Sequence, residues 1–406
     1  RAYFMKKTLL FLLLISFASI LTCFSFTAAA EEDDNQQGLT EEEVYDELQN
    51  NVNDGMDAID FTELEEWAKE YGTDKTFSQG VKELVQSVLD GEFSLGAEQF
   101  TSIILNAVTG GIKTCVPAFA AIFAIAVMTS MMQGLSSGFL RNNTREIVHF
   151  ACYAAIIVIL SVQITAIIVR VEQTIEGMCS LMQAVFPILL TLITALGSAS
   201  AAGVYSPLMA ILSTGIGTII SSLVLPCFVA AVVLSIVGNM SSNIKLGRLT
   251  KFFKWGAVFV LAGAFSLFAA FLTMQGLAGG IADSISIKTA KFAVQSYIPI
   301  LGGYLSDGLD LALTGIILIK NSLGLVSVIM LFAAVAVPIV QTAVFTLGLK
   351  LTAGLCEPIC SDKRISDLLY GVSKNTSLLT AALAGMAFMF VILVMLIIGT
   401  CNAGVI

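Results

Sequence analysis

An all-α, polytopic integral membrane helical bundle with a small exported N-terminal helical segment is the fold class this sequence predicts, and three observations predict it. Of the 406 residues, 56% are hydrophobic and only 13% charged, with a mean hydropathy of +0.88. A soluble domain carries roughly 25% charged residues, so this chain lacks the charge to cover a soluble surface. The charge it has is divided: residues 31–98 hold 21 acidic residues against Lys69, Lys75 and Lys82, a net of −18, while the chain from Gln99 onward nets +6. The third observation is an export signal ahead of the acidic segment. Most multi-span proteins need none, because their first span starts insertion; a signal here implies that residues 31–98 cross the membrane and work on the far side.

The signal occupies residues 1–30. Lys6 and Lys7 follow Met5, Thr8–Phe26 is the apolar region, and Ala28, Ala29 and Ala30 supply the small residues that signal peptidase requires. Cleavage after Ala30 and retention as an uncleaved first span both fit this pattern. Next comes an acidic exported segment, 31–111. Its first thirty residues read as loosely ordered from composition. Thr62-x-x-Glu65 then has the form of a capping box, with Phe61, Leu64, Trp67, Ala68 and Tyr71 on one face. Val81, Leu84, Val85, Val88 and Leu89 form a second stripe, opened by Ser78 and closed by Gly91. Leu64, Trp67, Tyr71, Leu84 and Val88 are the expected docking face of this segment. Phe100, Ile103, Ile104, Ala107 and Val108 form a third stripe, expected to lie in the membrane interface.

Residues 112–406 are the expected membrane domain. About 20 apolar residues make a span. Cys115–Met132, Ile147–Val169, Met178–Leu196, Trp255–Met274, Leu323–Leu347 and Leu378–Ile398 qualify. Ser206–Val237 runs 32 residues without a charge and contains Gly215, Gly217 and Pro226, so it reads either as two short spans or as a bent helix with a re-entrant part. Leu311–Ile319 is too short to span and is closed by Lys320 and Asn321, which suggests a half-helix. Re-entrant or interfacial segments are thus expected near 206–237 and 276–322. Lys320, Asn321, Gly276, Gly280 and Pro299 are the candidate residues of a channel or re-entrant element. Positive residues stay in the cytoplasm, so Arg141, Arg145, Lys245, Arg248, Lys251 and Lys254 are the candidate topology determinants. The total is six to eight spans, with both ends of the mature chain on the exported side.

Chemistry is sparse in the sequence. Gln163, Gln183 and Gln341 are the polar residues at span centres, and His149 is the single histidine. The spacing shows no metal-ligand cluster, no phosphate-binding glycine loop and no nucleophile turn. A catalytic role and a cofactor are therefore not expected. The acidic segment has no cysteine, so no disulfide framework is implied, and its charge argues against nucleic acid as a partner. Gly276-x-x-x-Gly280 and Ala381-x-x-x-Gly385 have the spacing that lets membrane helices approach closely.

Four stretches are distinctive: Asn239–Trp255 (NMSSNIKLGRLTKFFKW), Ser284–Gly303 (SISIKTAKFAVQSYIPILGG), Tyr304–Asp310, and Lys320-Asn321-Ser322-Leu323-Gly324. With the acidic N-terminus and this order of spans, the chain resembles the stage III sporulation protein AE family of endospore-forming bacteria. The resemblance covers nearly the whole chain and is strongest from about residue 115. It implies a mother-cell membrane protein of the assembly formed by the other stage III sporulation A-operon proteins. It implies as partners those proteins and, across the intermembrane space, the forespore stage II protein Q. That assembly is thought to form a channel or feeding tube supporting late forespore development. The bottom-up alternatives are a stand-alone secondary transporter and a non-conducting membrane scaffold. Membrane lipid is a partner on any of these readings, and a homo-oligomer is compatible with the small-residue seams.

Overall fold

The computed structural model describes residues 41–71, 80–91, 97–139, 142–240, 246–278, 302–360 and 363–400. The expected export signal at 1–30, Arg141, Lys245, Gly280 and Pro299 lie outside the described residues. Within them the chain is helical and has no strand. Three short helices come first: α1 (Glu41–Asp57), α2 (Thr62–Tyr71) and α3 (Val81–Leu89). Six long ones follow: α4 (Ala97–Phe139), α5 (Asn142–Ala195), α6 (Ala199–Met240), α7 (Gly247–Ala278), α8 (Gly302–Ile359) and α9 (Arg364–Gly399). Each of the six is long and apolar enough to cross a membrane, so the chain is an all-α, multi-pass bundle.

Several boundaries differ from those the sequence suggests. Residues 41–57 form a helix where loose order was expected, because Val44, Leu48, Val52 and Met56 recur every fourth residue and give it an apolar stripe. Val52 and Met56 are buried. Thr62 opens α2 from inside: its N–H donates to Asp60 Oδ1 at 3.0 Å, so Asp60, not Thr62, supplies the capping side chain. The Thr62 hydroxyl, and after it this backbone N–H, hold the Asp60 carboxyl below its ordinary value. The stripe around Phe100–Val108 is the first part of α4 and runs on into the span without a break.

The apolar runs Ile147–Val169 and Met178–Leu196 belong to one helix of 54 residues. Arg170, Glu172 and Glu176 interrupt the hydropathy between them, but arginine and glutamate are good helix formers, and the interruption contains no proline. Leu311–Ile319 is likewise no separate half-helix. It continues through Lys320 and Asn321 into the 58 residues of α8. At 1.5 Å per residue these two helices are about 81 and 87 Å long. A bilayer core is about 30 Å thick, so each extends far beyond one. Ser206–Val237 lies within α6, which is one helix interrupted by two π-helical stretches, Ile211–Ile216 and Ile220–Val224. Gly217, between them, faces Cys179 of α5 and Met386 of α9.

Were each of the six helices to cross once, Arg145, Arg248, Lys251, Lys254, Lys363 and Arg364 would fall on one side, which would meet the charge rule with no extra crossing. The α5–α6 turn is three residues, Leu196-Gly197-Ser198. Gly197 has φ 78°, its N–H donates to Thr194 O at 2.9 Å, and Ser198 N–H donates to Ile193 O at 3.2 Å. This is the paired bonding of a Schellman cap, with glycine at the left-handed position.

The core is the antiparallel α8–α9 hairpin with α4, α5 and α6 packed on it. Phe345 meets Phe119 of α4 with ring centroids 5.5 Å apart, and Phe390 meets Phe186 of α5 at the same separation. Four buried hydroxyls in α8 and α9 bond within their own helix: Ser327 to Leu323 O, Thr346 to Thr342 O, Thr352 to Gly348 O and Thr376 to Val372 O, whereas the buried Thr380 Oγ1 in α9 has no hydrogen-bond partner. In lipid an unsatisfied hydroxyl would cost free energy, and the carbonyl four residues back is the nearest acceptor.

Candidate functional site

The described residues that most need explaining meet where α8 is entering the bundle and α9 is ending. Lys320 is wholly buried, at 0% exposure. Its ammonium donates to Ile398 O at 3.1 Å and to Thr400 O. These are carbonyls that the end of a helix leaves without intrahelical donors, and a cation there also meets the negative end of the helix dipole. Tyr205 of α6 joins the same terminus: its hydroxyl donates to Leu396 O at 3.4 Å and shares a 2.7 Å bond with Thr400 Oγ1. Three helices are therefore tied at one point. Asn321, expected beside Lys320 in a conduit, has a buried Oδ1 with no hydrogen-bond partner. Gln341 is similar: its Oε1 is buried without a partner, and its Cγ lies 3.5 Å from where a Cβ at Gly111 would stand.

The acidic helices sit close to this point. Gly315 of α8 packs on Asn51 and Val52 of α1, and a Cβ at Gly55 would come within 2.7 Å of Ile319 Cδ1. Lys82 of α3 pairs with Asp57 of α1 at 2.6 Å, both largely exposed. The stripe expected to dock elsewhere is taken up by the chain's own long helices. Leu64, Trp67 and Leu84 are buried in the common core, and Tyr71 and Val88 pack against it. Trp67 Nε1 donates to Gly177 O of α5 at 2.7 Å, and the Trp67 and Tyr71 rings stack at 5.7 Å. Tyr71 lies so close that a Cβ at Gly177 would sit 2.7 Å from its ring. Burial, then Glu70 and Glu176, raise the Tyr71 phenol pKa. On the outer face of this module Glu63, Glu66 and Glu70 are exposed. Trp67→Phe keeps an aromatic ring but gives up the larger indole and its bond to Gly177, an expected cost of about 1–3 kcal/mol from the lost bond and the space left behind. Amide hydrogen exchange across 62–71 should quicken while α9 is unchanged; equal exchange in both proteins would show that the bond does not hold the module down.

The remaining expected residues are scattered. Gly276 lies in α7, and Arg145 lies in the first turn of α5 with His149 one turn further on. Arg248 and Lys251 are exposed at the start of α7, and Lys254 Nζ donates to Lys374 O of α9 at 3.0 Å. Among the described residues no group of three or more His, Cys, Asp or Glu side chains is placed to hold a metal ion.

The match to known proteins is extensive. The family model described as stage III sporulation protein AE matches residues 80–401. The chain is similar to the stage III sporulation protein AE of Bacillus subtilis (strain 168), at 26% identity over 278 residues, which is 68% of this chain and 69% of the relative. No solved structure matches. With the family model covering α3 through α9, this chain belongs to the stage III sporulation protein AE family.

Proposed function

We propose that this protein is a non-enzymatic membrane component of a sporulation-specific channel or secretion-like assembly linking mother cell and forespore. In this reading the protein sits in the mother-cell membrane around the forespore and serves late forespore development. The family match across 80–401 carries the proposal, and the six-helix bundle is consistent with it. The acidic module, pinned to the bundle through Trp67 and Gly177, presents its outer face to other extracellular domains. The proposed partners are the other stage III sporulation A-operon proteins and stage II protein Q, with membrane lipid around the bundle.

One observation favours a second reading, a non-conducting scaffold of the same assembly. Lys320 is packed inside a single chain and bonded to the α9 terminus, so that chain offers no open path at this point. A conduit then has to run between copies or between this chain and a partner. The test is purification of the intact protein from sporulating cells, with single cysteines placed from 311 to 322. Co-purification with other stage III proteins at fixed stoichiometry, and aqueous labelling of those cysteines in the assembly alone, is the expected result. Protection throughout assigns the scaffold role. Solute uptake into liposomes by the protein without partners would overturn both readings in favour of a transporter.

A further inference from the structure

We infer that the start of α7 carries a binding site for an anionic phospholipid. Arg248 and Lys251 hold its phosphate, Lys254 and Lys374 border it, and an acyl chain lies along Phe252, Trp255 and Phe259. This goes beyond the sporulation role and does not depend on it.

The geometry is a gradient along one helix face. At 3.6 residues per turn, Arg248, Phe252, Trp255 and Phe259 fall within an arc of about 60°, with Lys251 about 40° beyond its edge. Phe252, Trp255 and Phe259 are 61%, 61% and 63% exposed, so the protein interior uses none of these rings fully. They are nonetheless ordered against one another. Trp255 and Phe259 stack at 5.3 Å, and Phe252 stands 6.5 Å from Trp255. Arg248 to Phe259 spans about 16 Å at 1.5 Å per residue. That is the depth from the headgroup layer into the acyl region of one leaflet, with tryptophan at the boundary where it is enriched. Leu267 continues the exposed apolar face below.

The fold adds a fourth cation that the local sequence does not show. Lys254 Nζ donates to Lys374 O, bringing α9 alongside, and Lys374 Nζ lies 4.6 Å above the ring of Tyr370, itself exposed. Asp367, two turns earlier on α9, is the nearest acid along that helix and leaves the patch net positive. A soluble acidic protein would match the cations and leave the aromatic ridge in water. A zwitterionic lipid would match the ridge and forgo the cations. An anionic phospholipid satisfies both.

The chain has two tryptophans, and Trp67 is buried, so Trp67→Phe leaves Trp255 as a single fluorescent reporter. The full chain is placed in phosphatidylcholine nanodiscs doped, at equal mole fraction, with brominated phosphatidylglycerol or brominated phosphatidylcholine. Each surface cation is worth roughly a fivefold preference, so the anionic quencher is expected to act several times more strongly. The double variant Arg248→Gln, Lys251→Gln should equalise the two quenchers, and the charge-preserving pair Arg248→Lys, Lys251→Arg should restore the difference. Equal quenching in the starting protein overturns the proposal, as does a preference that survives the double variant. Loss of the preference on adding inorganic phosphate would assign the site to free phosphate instead of lipid. If the Trp67→Phe chain is not recovered, native mass spectrometry of lipid retained by the otherwise unmodified chain reads the same ratio.

Discussion

Lys320→Glu is expected to abolish recovery of folded protein, whereas Lys320→Met is expected to give a protein that folds with a frayed α9 terminus. The two differ in what they leave buried. Lys320 is wholly enclosed and gives its protons to Ile398 O and Thr400 O. Glutamate would put a second negative group against carbonyls that are already the negative end of a helix, with no donor to meet it. An uncompensated buried charge of this kind costs on the order of 3–5 kcal/mol. Methionine instead removes two charge-assisted bonds, each worth about 1.5–3 kcal/mol, but also removes the cost of keeping an ammonium out of water. The two terms nearly cancel, and the loss is confined to the last turn. Thermal unfolding of the full chain in detergent should place Lys320→Met within a few degrees of the parent. Hydrogen exchange at 396–400 should rise sharply. A Lys320→Glu protein with the parent's unfolding midpoint would show that the ammonium is not held inside the bundle.

The same lysine shows what the sequence could and could not convey. Hydropathy located every long helix, because a run of about 20 apolar residues has few alternatives in a protein this poor in charge. It misplaced the ends. Arg170–Glu176 and Lys320-Asn321 read as loops because they are polar, yet helix formation depends on backbone and rotamer preferences that those residues satisfy. Whether a mid-helix lysine faces water or carbonyls is decided by α9, some 80 residues away, and no local signal carries that. The Leu64–Trp67–Tyr71 stripe was visible by its spacing. Spacing shows that a face is buried but not against what, and Gly177 gave no sign that it was the receiving surface. The stripe Val44, Leu48, Val52 and Met56 was equally visible, but it was masked by the acidic composition around it.

Gly385 marks the opposite case, a residue whose role was legible while its partner was not. The Ala381-x-x-x-Gly385 spacing signals a close helix approach, and the structure supplies the neighbour: the ring of Phe265 in α7 fills the space a Cβ would occupy. Gly385 is buried, so the ring has little room to retreat. Gly385→Ala should therefore destabilise the bundle by about 1–3 kcal/mol, and Gly385→Val by more, since overpacking forces off-rotamer side chains or a shift of one helix. Gly263→Ala on α7 is the control. A Cβ there meets nothing within 4 Å, so alanine's helix preference should leave stability equal or raised by up to about 1 kcal/mol. Pairing Gly385→Ala with Phe265→Leu should recover part of the loss, because the smaller side chain vacates the space the methyl needs. The coupling between contacting sites is typically about 0.5–3 kcal/mol. Unfolding midpoints of the parent and the four variants in one detergent decide the matter. If Gly385→Ala costs no more than Gly263→Ala, or if Phe265→Leu recovers nothing, α7 and α9 do not meet as described, and the seam that orders this half of the bundle lies elsewhere.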